Sequence, residues 1–465
     1  MPRLLVVWRP ARIQAAIPPT DRGLGMSQRQ KFHLGWFLQG SSVQAWGEPF
    51  TGAIGRDWRS AEFFVDIAKA LERARFDYLL IEDSSYVGES YGNSREIYLT
   101  GGLSTPRQDP SVMATLMAAQ TSRLGIVPTL STFAYPPYLL ARLVASLDQI
   151  SAGRIGWNMV TGSSDFAAMN YGMPGMPDHD LRYDMADEYM ACVNALWDSW
   201  DPDSIIANTE TGVLVDHTKV RQADFEGRWY KSRGPLNSGP LPQGRPVIAQ
   251  AGGSPRGKRF AALHADTVVA SVKGTAGMKA YRDDLRAHAL AQGRNPDAIK
   301  VLFLVSPTIG ETEEEARLRH AQKMARAAKQ VPQLLAFFGK ITNINFAAYD
   351  LDTPVNELTL TTNGHQQSLD DFKRVTGQKT LREAMLSYRG NNGSVELVGT
   401  PDSVAARMEE VMAEVGGDGF LIATNDTSRR ILAEITEGLI PALQARGLTR
   451  KEYGHTQFRD NLLEF

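Results

Sequence analysis

Two stretches of this chain carry residue types whose spacing suits the binding of an anionic ligand. In the first, Pro246-Val247-Ile248-Ala249-Gln250 reads as a buried strand and runs into Ala251-Gly252-Gly253-Ser254-Pro255. Proline suits the first position of a helix, where its missing N–H removes no useful donor. A glycine-rich turn feeding a helix presents free backbone N–H groups and the positive end of the helix dipole, a natural cradle for phosphate. Each hydrogen bond to a charged group contributes about 1.5–3 kcal/mol, so a few can hold a phosphate monoester. Arg256, Lys258 and Arg259 stand close by as additional positive charge. The plainer reading of the same residues is a serine N-cap with glycine in the turn. The turn is neither a Walker loop nor a nucleophile elbow, because the lysine of the former and the last glycine of the latter are absent.

The second stretch is Asp178-His179-Asp180-Leu181-Arg182-Tyr183-Asp184. His179 and Tyr183 are four apart and so share one face of a helix that begins near Asp180. An imidazole and a phenol side by side can donate to a ligand's phosphate or ring oxygens. The competing reading is a surface histidine at a helix start. A metal centre would need a second histidine or carboxylate at ligand spacing, and the remaining histidines are scattered, so no metal is expected.

The elements that must position these groups follow from periodicity. Short apolar runs alternate with amphipathic stretches: 32–37, 78–81, 124–130, 154–160, 246–250, 267–270, 301–305 and 419–423 read as strands buried on both faces. Helical patterns lie between them at 61–74, 110–122, 138–150, 276–290, 311–328 and 401–415, with Asp109-Pro110 and Thr400-Pro401 as helix starts. Eight strands alternating with helices match a (β/α)8 TIM barrel with insertions. The insertions fall at about 165–244, with hairpin and loop character from Asp201 to Gly244, and at 341–394. The latter is rich in Asn and Gly and reads as a lid before the last strand. In such a barrel the chemistry sits at the C-terminal ends of the strands. Those ends carry Glu82-Asp83-Ser84-Ser85, Thr129 with Ser131-Thr132, Asn158 with Thr161 to Ser164, and the Gly253-Ser254 turn.

Composition excludes several classes. Of 465 residues, 50 are Lys or Arg and 52 Asp or Glu, and the net charge of −2 gives no footprint for nucleic acid or an anionic membrane. The single cysteine, Cys192, cannot form an intramolecular disulfide, and its spacing from Leu181, Met185 and Leu196 gives it a core role. The apolar run Leu4 to Trp8 is too short for a secretory signal. We expect a cytoplasmic protein in which Met26 is the physiological start, residues 1–25 are a leader, and 26–465 form one barrel domain.

The chain also resembles a known family, the bacterial-luciferase-like flavin-dependent monooxygenases, in the branch of the nitrilotriacetate, EDTA and dibenzothiophene-sulfone enzymes. The resemblance rests on Gly156-Trp157-Asn158-Met159-Val160-Thr161, on Ala167 to Gly172, and on His179 with Arg182-Tyr183 followed by Leu196-Trp197-Asp198-Ser199-Trp200. Further matches are Arg233-Gly234-Pro235-Leu236-Asn237, Gln250-Ala251-Gly252 with Ser254, Asn363-Gly364-His365-Gln366, Val398-Gly399-Thr400-Pro401 and Pro441 to Gly447. It covers nearly everything from Lys31 onward. Departures are Gly162, the Thr456-Gln457-Phe458-Arg459 ending, and Ala45-Trp46-Gly47-Glu48-Pro49, which lacks an arginine often found after the tryptophan.

The resemblance implies a TIM barrel that binds reduced FMN from a separate NAD(P)H-dependent flavin reductase. O2 then oxygenates a small organic substrate through a flavin peroxide. Asp83, Thr129, His179, Tyr183 and Ser254 match the family's FMN-contacting positions, with Asn158 and Gly253 alongside. Trp36, Phe37 and Trp157 are expected to wall the pocket, and His365 on the lid is the candidate catalytic residue. A homo-oligomer, dimer or tetramer, is expected. Three other readings stand beside this one: a deazaflavin-dependent oxidoreductase on the same barrel, a non-catalytic flavin-binding protein, and a phosphosugar aldolase or isomerase. The last normally wants a strand-end lysine or a metal.

Overall fold

Eight short strands lie side by side, each parallel to both neighbours, and the last pairs with the first. They are β1 (His33–Leu38), β2 (Tyr78–Ile81), β3 (Gly125–Ser131), β4 (Gly156–Val160), β5 (Val247–Gln250), β6 (Thr267–Ala270), β7 (Lys300–Val305) and β8 (Gly419–Ala423). Spatial order equals chain order, so the expected (β/α)8 TIM barrel is the observed architecture. This computed structural model describes residues 30–39, 59–389, 393–424 and 427–465. The readings of Met26, of the leader and of Ala45 to Pro49 lie outside the described residues.

The crossovers carry α1 (Ala61–Arg73), α2 (Pro110–Ala119), α3 (Pro137–Ile150), α4 (His179–Trp197), α5 (Pro255–His264) and α6 (Thr275–Ala291). Their placement follows local chemistry. In α1, Phe63, Phe64, Ile67, Ala68 and Leu71 form one buried stripe, which packs the helix onto the barrel. Asp109 caps α2 by accepting from the Ser111 N–H, with Pro110 in the first turn.

Strand side chains alternate between the barrel interior and the helical layer. Tyr78, Leu80, Val127, Val247, Ala249, Val269, Leu302 and Leu421 fill the interior. The same alternation corrects one expectation. Of the three aromatic residues assigned to the pocket wall, only Phe37 faces inward. Trp36 packs edge-on against Phe76, and Trp157 packs against Tyr189 and Trp197 of α4 while its indole N–H donates to the Leu130 carbonyl at 2.8 Å.

The N-terminal end of the barrel is plugged by the chain's last turns. Phe458 and Leu462 join the interior cluster, and a Cβ on Gly125 would stand 2.7 Å from the Phe458 ring. Beside the plug lies a buried ion network. Asp77 accepts from the Leu34 N–H at 2.8 Å and from Arg450 Nη2 at 2.6 Å, and pairs with His33 Nδ1 at 2.8 Å. Burial alone would raise the Asp77 pKa, but His33 and Arg450 outweigh it and hold the carboxyl at about 2. This folded-state value lies below the unfolded one. The stabilisation is therefore complete above the ordinary carboxylate pKa and is lost as pH falls through about 2. It amounts to about 2 kcal/mol. Urea unfolding of Asp77→Asn and of the parent protein is expected to diverge least at the lowest pH. A gap that stays constant from neutral pH to the acid limit would show that the ionisation of Asp77 plays no part.

Between β7 and β8 the chain adds α7 (Glu313–Lys329), α8 (Val331–Thr342), α9 (Gln366–Thr376) and α10 (Leu381–Arg389) before α11 (Pro401–Val415). The lid reading at 341–394 falls in this segment. The whole insertion is largely helical and has a core of its own, in which Phe338 packs among Phe346, Phe372 and Tyr388. The 165–244 stretch contains α4 and two short hairpins, Ile205–Asn208 with Val213–Val215 and Phe225–Glu226 with Lys231–Ser232.

Candidate active site

A cavity of about 980 Å3, its open mouth included, lies at the C-terminal rim of the barrel. Asp83, Thr129, His179, Tyr183, Gly253, Ser254 and His365 all line it, although they come from the ends of β2, β3 and β5, from α4 and from the β7–β8 insertion. Barrel register explains the convergence: Thr129 pairs with Asn158 across β3–β4, and Met159 with Gln250 across β4–β5. Asn158 itself is buried below the rim and does not line the cavity. Its Nδ2 donates to Thr129 Oγ1 at 2.8 Å, which leaves the Thr129 proton available to a ligand. Its Oδ1 has no partner among the described residues.

The turn after β5 forms the serine N-cap that the plainer sequence reading expects. Ser254 caps α5, its Oγ accepting from the Gly257 N–H at 3.0 Å. The cap uses only lone pairs, so the hydroxyl proton can still be donated. Behind it stands the Tyr183 hydroxyl, which accepts from Gln250 Nε2 at 3.4 Å. Burial pushes the Tyr183 phenol above its ordinary pKa and keeps it a neutral donor. The Tyr281 hydroxyl donates to the Gly252 carbonyl and fixes the turn from below.

Two of the three nearby cations are engaged elsewhere. Arg256 pairs with Asp184 at 2.9 Å and Asp187 at 2.5 Å, and Lys258 pairs with Asp284. Backbone N–H groups and the helix end supply positive potential at the turn itself. A Cβ at Gly253 would fall on the Gln367 carboxamide, so a phosphate entering the turn meets that side chain.

Helix α4 begins at His179, one residue before the expected start, and places the imidazole and the Tyr183 ring 5.2 Å apart, edge to face. His179 Nδ1 pairs with Asp180 at 2.7 Å. At the opposite wall, burial raises the Asp83 carboxyl to about 6 in spite of Arg107 at 3.7 Å.

Comparison with known proteins places this barrel. Residues 34–419 match the profile of the luciferase-like monooxygenases. The chain belongs to that family. It is similar to dibenzothiophene-sulfone monooxygenase from Rhodococcus erythropolis (strain XP), with 36% identity over 444 residues, 94% of this chain and 97% of that protein. It is also similar to dimethyl-sulfide monooxygenase from Hyphomicrobium sulfonivorans, 33% identical across 91% of this chain and 87% of that one. Among solved structures, a riboflavin lyase with modified FMN and riboflavin superposes with a TM-score of 0.84 at 31% identity, covering 94% of this chain and 96% of the other.

In this luciferase-like monooxygenase the insertion closes one side of the cavity. His365 caps α9: its Nδ1 accepts from the Ser368 N–H at 3.3 Å, which leaves Nε2 to carry the ring proton. Arg182 ties the insertion to α4, donating to the Pro177 carbonyl at 2.6 Å and to the Asn363 carbonyl at 3.0 Å. It thereby joins two motifs that the sequence reading quoted separately. Sequence reasoning passed over Gln367 and Lys340. Gln367 follows a recognised motif by one position. Lys340 carries a signal in retrospect, as a lone cation in the apolar run Val331 to Thr342.

Proposed function

We propose that this chain is the oxygenating component of a two-component system. It takes reduced FMN from a separate NAD(P)H-dependent flavin reductase and uses it with O2 to oxygenate a small organic molecule. The observation that carries this reading is the convergence of Asp83, Thr129, His179, Tyr183 and Ser254 on one cavity. The fit to FMN rests on the donor set: a helix N-terminus and two hydroxyls for a dianionic phosphate, and a deeper polar wall for the rest. Reduced flavin, when bound, supplies the electrons that activate O2.

The protein's own tasks are then to bind, orient and exclude water. Ser254 and the Gly253 turn hold the phosphate, with His179 and Tyr183 donating from α4. Thr129, held by Asn158, and Asp83 face the remainder of the ligand. His365 and the first turn of α9 cover the cavity and limit the entry of water. Substrate choice is a matter of pocket shape. Both named relatives act on organosulfur compounds, so a screen for substrate starts with sulfones and sulfides.

The test is anaerobic titration with reduced FMN, followed by O2 consumption with a generic flavin reductase and candidate substrates. Saturable binding and substrate-stimulated oxygenation support the reading. Turnover with a deazaflavin in the absence of O2 would replace it. For His365→Ala we expect a several-fold rise in the fraction of reductant that ends as H2O2, because the cap of α9 is lost and water enters. Coupling equal to that of the parent protein would remove His365 from the sealing role.

A further inference from the structure

Lys340 is a buried ammonium that the function above does not use. It projects from α8, is 3% exposed, and lies against the end of β2. Its Nζ donates to Ser84 Oγ at 2.6 Å and stands 5.0 Å over the Tyr86 ring, while the Tyr86 hydroxyl donates to the Lys340 carbonyl at 2.9 Å. Ser84 lines the cavity and Lys340 does not. One turn on, Asn343 Nδ2 donates to the Ser163 carbonyl at 3.2 Å, and the His365 N–H donates to the Ile341 carbonyl at 2.9 Å. The end of α8 thus ties the β2 and β4 loops to the segment that carries His365.

An ammonium group has three donors and no acceptor. Facing Lys340, the Ser84 oxygen must accept, and its own proton is turned away from the lysine. A neutral amine carries a lone pair that can take the hydroxyl proton and turn it back. We propose that Lys340 is a positioning residue whose ammonium aims the Ser84 hydroxyl proton into the cavity, where it donates to an acceptor atom of the reduced flavin. This rests on the flavoenzyme reading above and adds a device to the same site.

The groups facing Lys340 set where the device switches. Burial lowers its pKa and Arg107 lowers it further, while Glu82 and Asp83 raise it, with a net value of about 7. The ammonium form, and with it the outward hydroxyl, prevails below that pH and is lost above it. The Tyr86 ring favours the charged form at close range.

The test compares reduced-FMN affinity in the parent protein and in Ser84→Ala as a function of pH, under anaerobic conditions. Taking the ratio of the two cancels the flavin's own ionisation and that of Asp83, which are common to both. We expect parent binding to be about three- to tenfold tighter than Ser84→Ala at pH 6, the worth of one hydrogen bond, with the ratio approaching one at about pH 9. In a Lys340→Arg background, where the cation cannot be discharged, the ratio is expected to persist across the range. Should Lys340→Arg not fold, the pH dependence of the ratio in the parent background decides alone. A ratio that is independent of pH, or equal to one throughout, overturns the role of Lys340 while leaving flavin binding intact. A parent protein that binds no reduced FMN at any pH overturns the flavin reading and this inference together.

Discussion

The double variant Ser254→Ala/His179→Ala is expected to bind reduced FMN at least about a hundredfold more weakly than the parent protein. The two side chains stand at different helix starts, Ser254 at that of α5 and His179 at that of α4. Each hydrogen bond to a phosphate dianion is worth about 1.5–3 kcal/mol, so losing two costs about 3–6 kcal/mol of binding. Ser254→Ala also removes an N-cap, worth about 1 kcal/mol of stability, which has to be separated from binding. Ser254→Asp makes the separation. An aspartate caps α5 as well as serine does, yet it sets a negative charge where the phosphate belongs. It is expected to melt with the parent protein and to bind reduced FMN no better than the double variant. Anaerobic titration monitored by flavin fluorescence reads both. If affinity survives in the double variant, the ligand's anionic end lies elsewhere.

The second large effect concerns stability and lies at the opposite end of the barrel. Arg450→Ala is expected to destabilise the fold by about 3–5 kcal/mol, because it leaves a buried carboxylate without its arginine partner. Arg450 is 2% exposed and bonds to Asp77 at 2.6 Å, to Glu464 at 2.6 Å and to the Asn461 carbonyl at 2.7 Å. Its guanidinium also lies 5.1 Å over the Phe465 ring. It therefore anchors the C-terminal plug, whose Phe458 and Leu462 close the barrel interior. Arg450→Lys keeps the charge but not the planar fork, and is expected to recover only a minor part of the loss. Denaturant midpoints measure both variants. Because the network is far from the cavity, reduced-FMN affinity below the transition is expected to match that of the parent. A midpoint within experimental error of the parent value would show that the plug does not depend on this arginine.

Much of the barrel was legible in the chain. The runs at 78–81, 267–270 and 419–423 coincide with β2, β6 and β8, and the helical pattern at 401–415 coincides with α11. Strands buried on both faces have continuous apolarity, and proline-led helices mark their own starts, so both signals are local. The two donor motifs were legible for the same reason. The Gly252-Gly253-Ser254 turn and the His179/Tyr183 spacing each encode their geometry within a few residues.

What lay beyond the sequence was direction and partnership. Residue types alone did not say that Trp36 and Trp157 face the helical layer, because a one-residue shift in register exchanges the two faces of a strand. Nor did they say that Arg256 and Lys258 belong to carboxylates on neighbouring helices rather than to the cradle. The contacts of Lys340 with Ser84, of Arg182 with Asn363, and of Arg450 with Asp77 span from 181 to 373 positions. Local pattern determined which elements form and which groups can donate. Closure of the barrel decided which of those groups meet, because only ring closure brings distant strand ends to one rim.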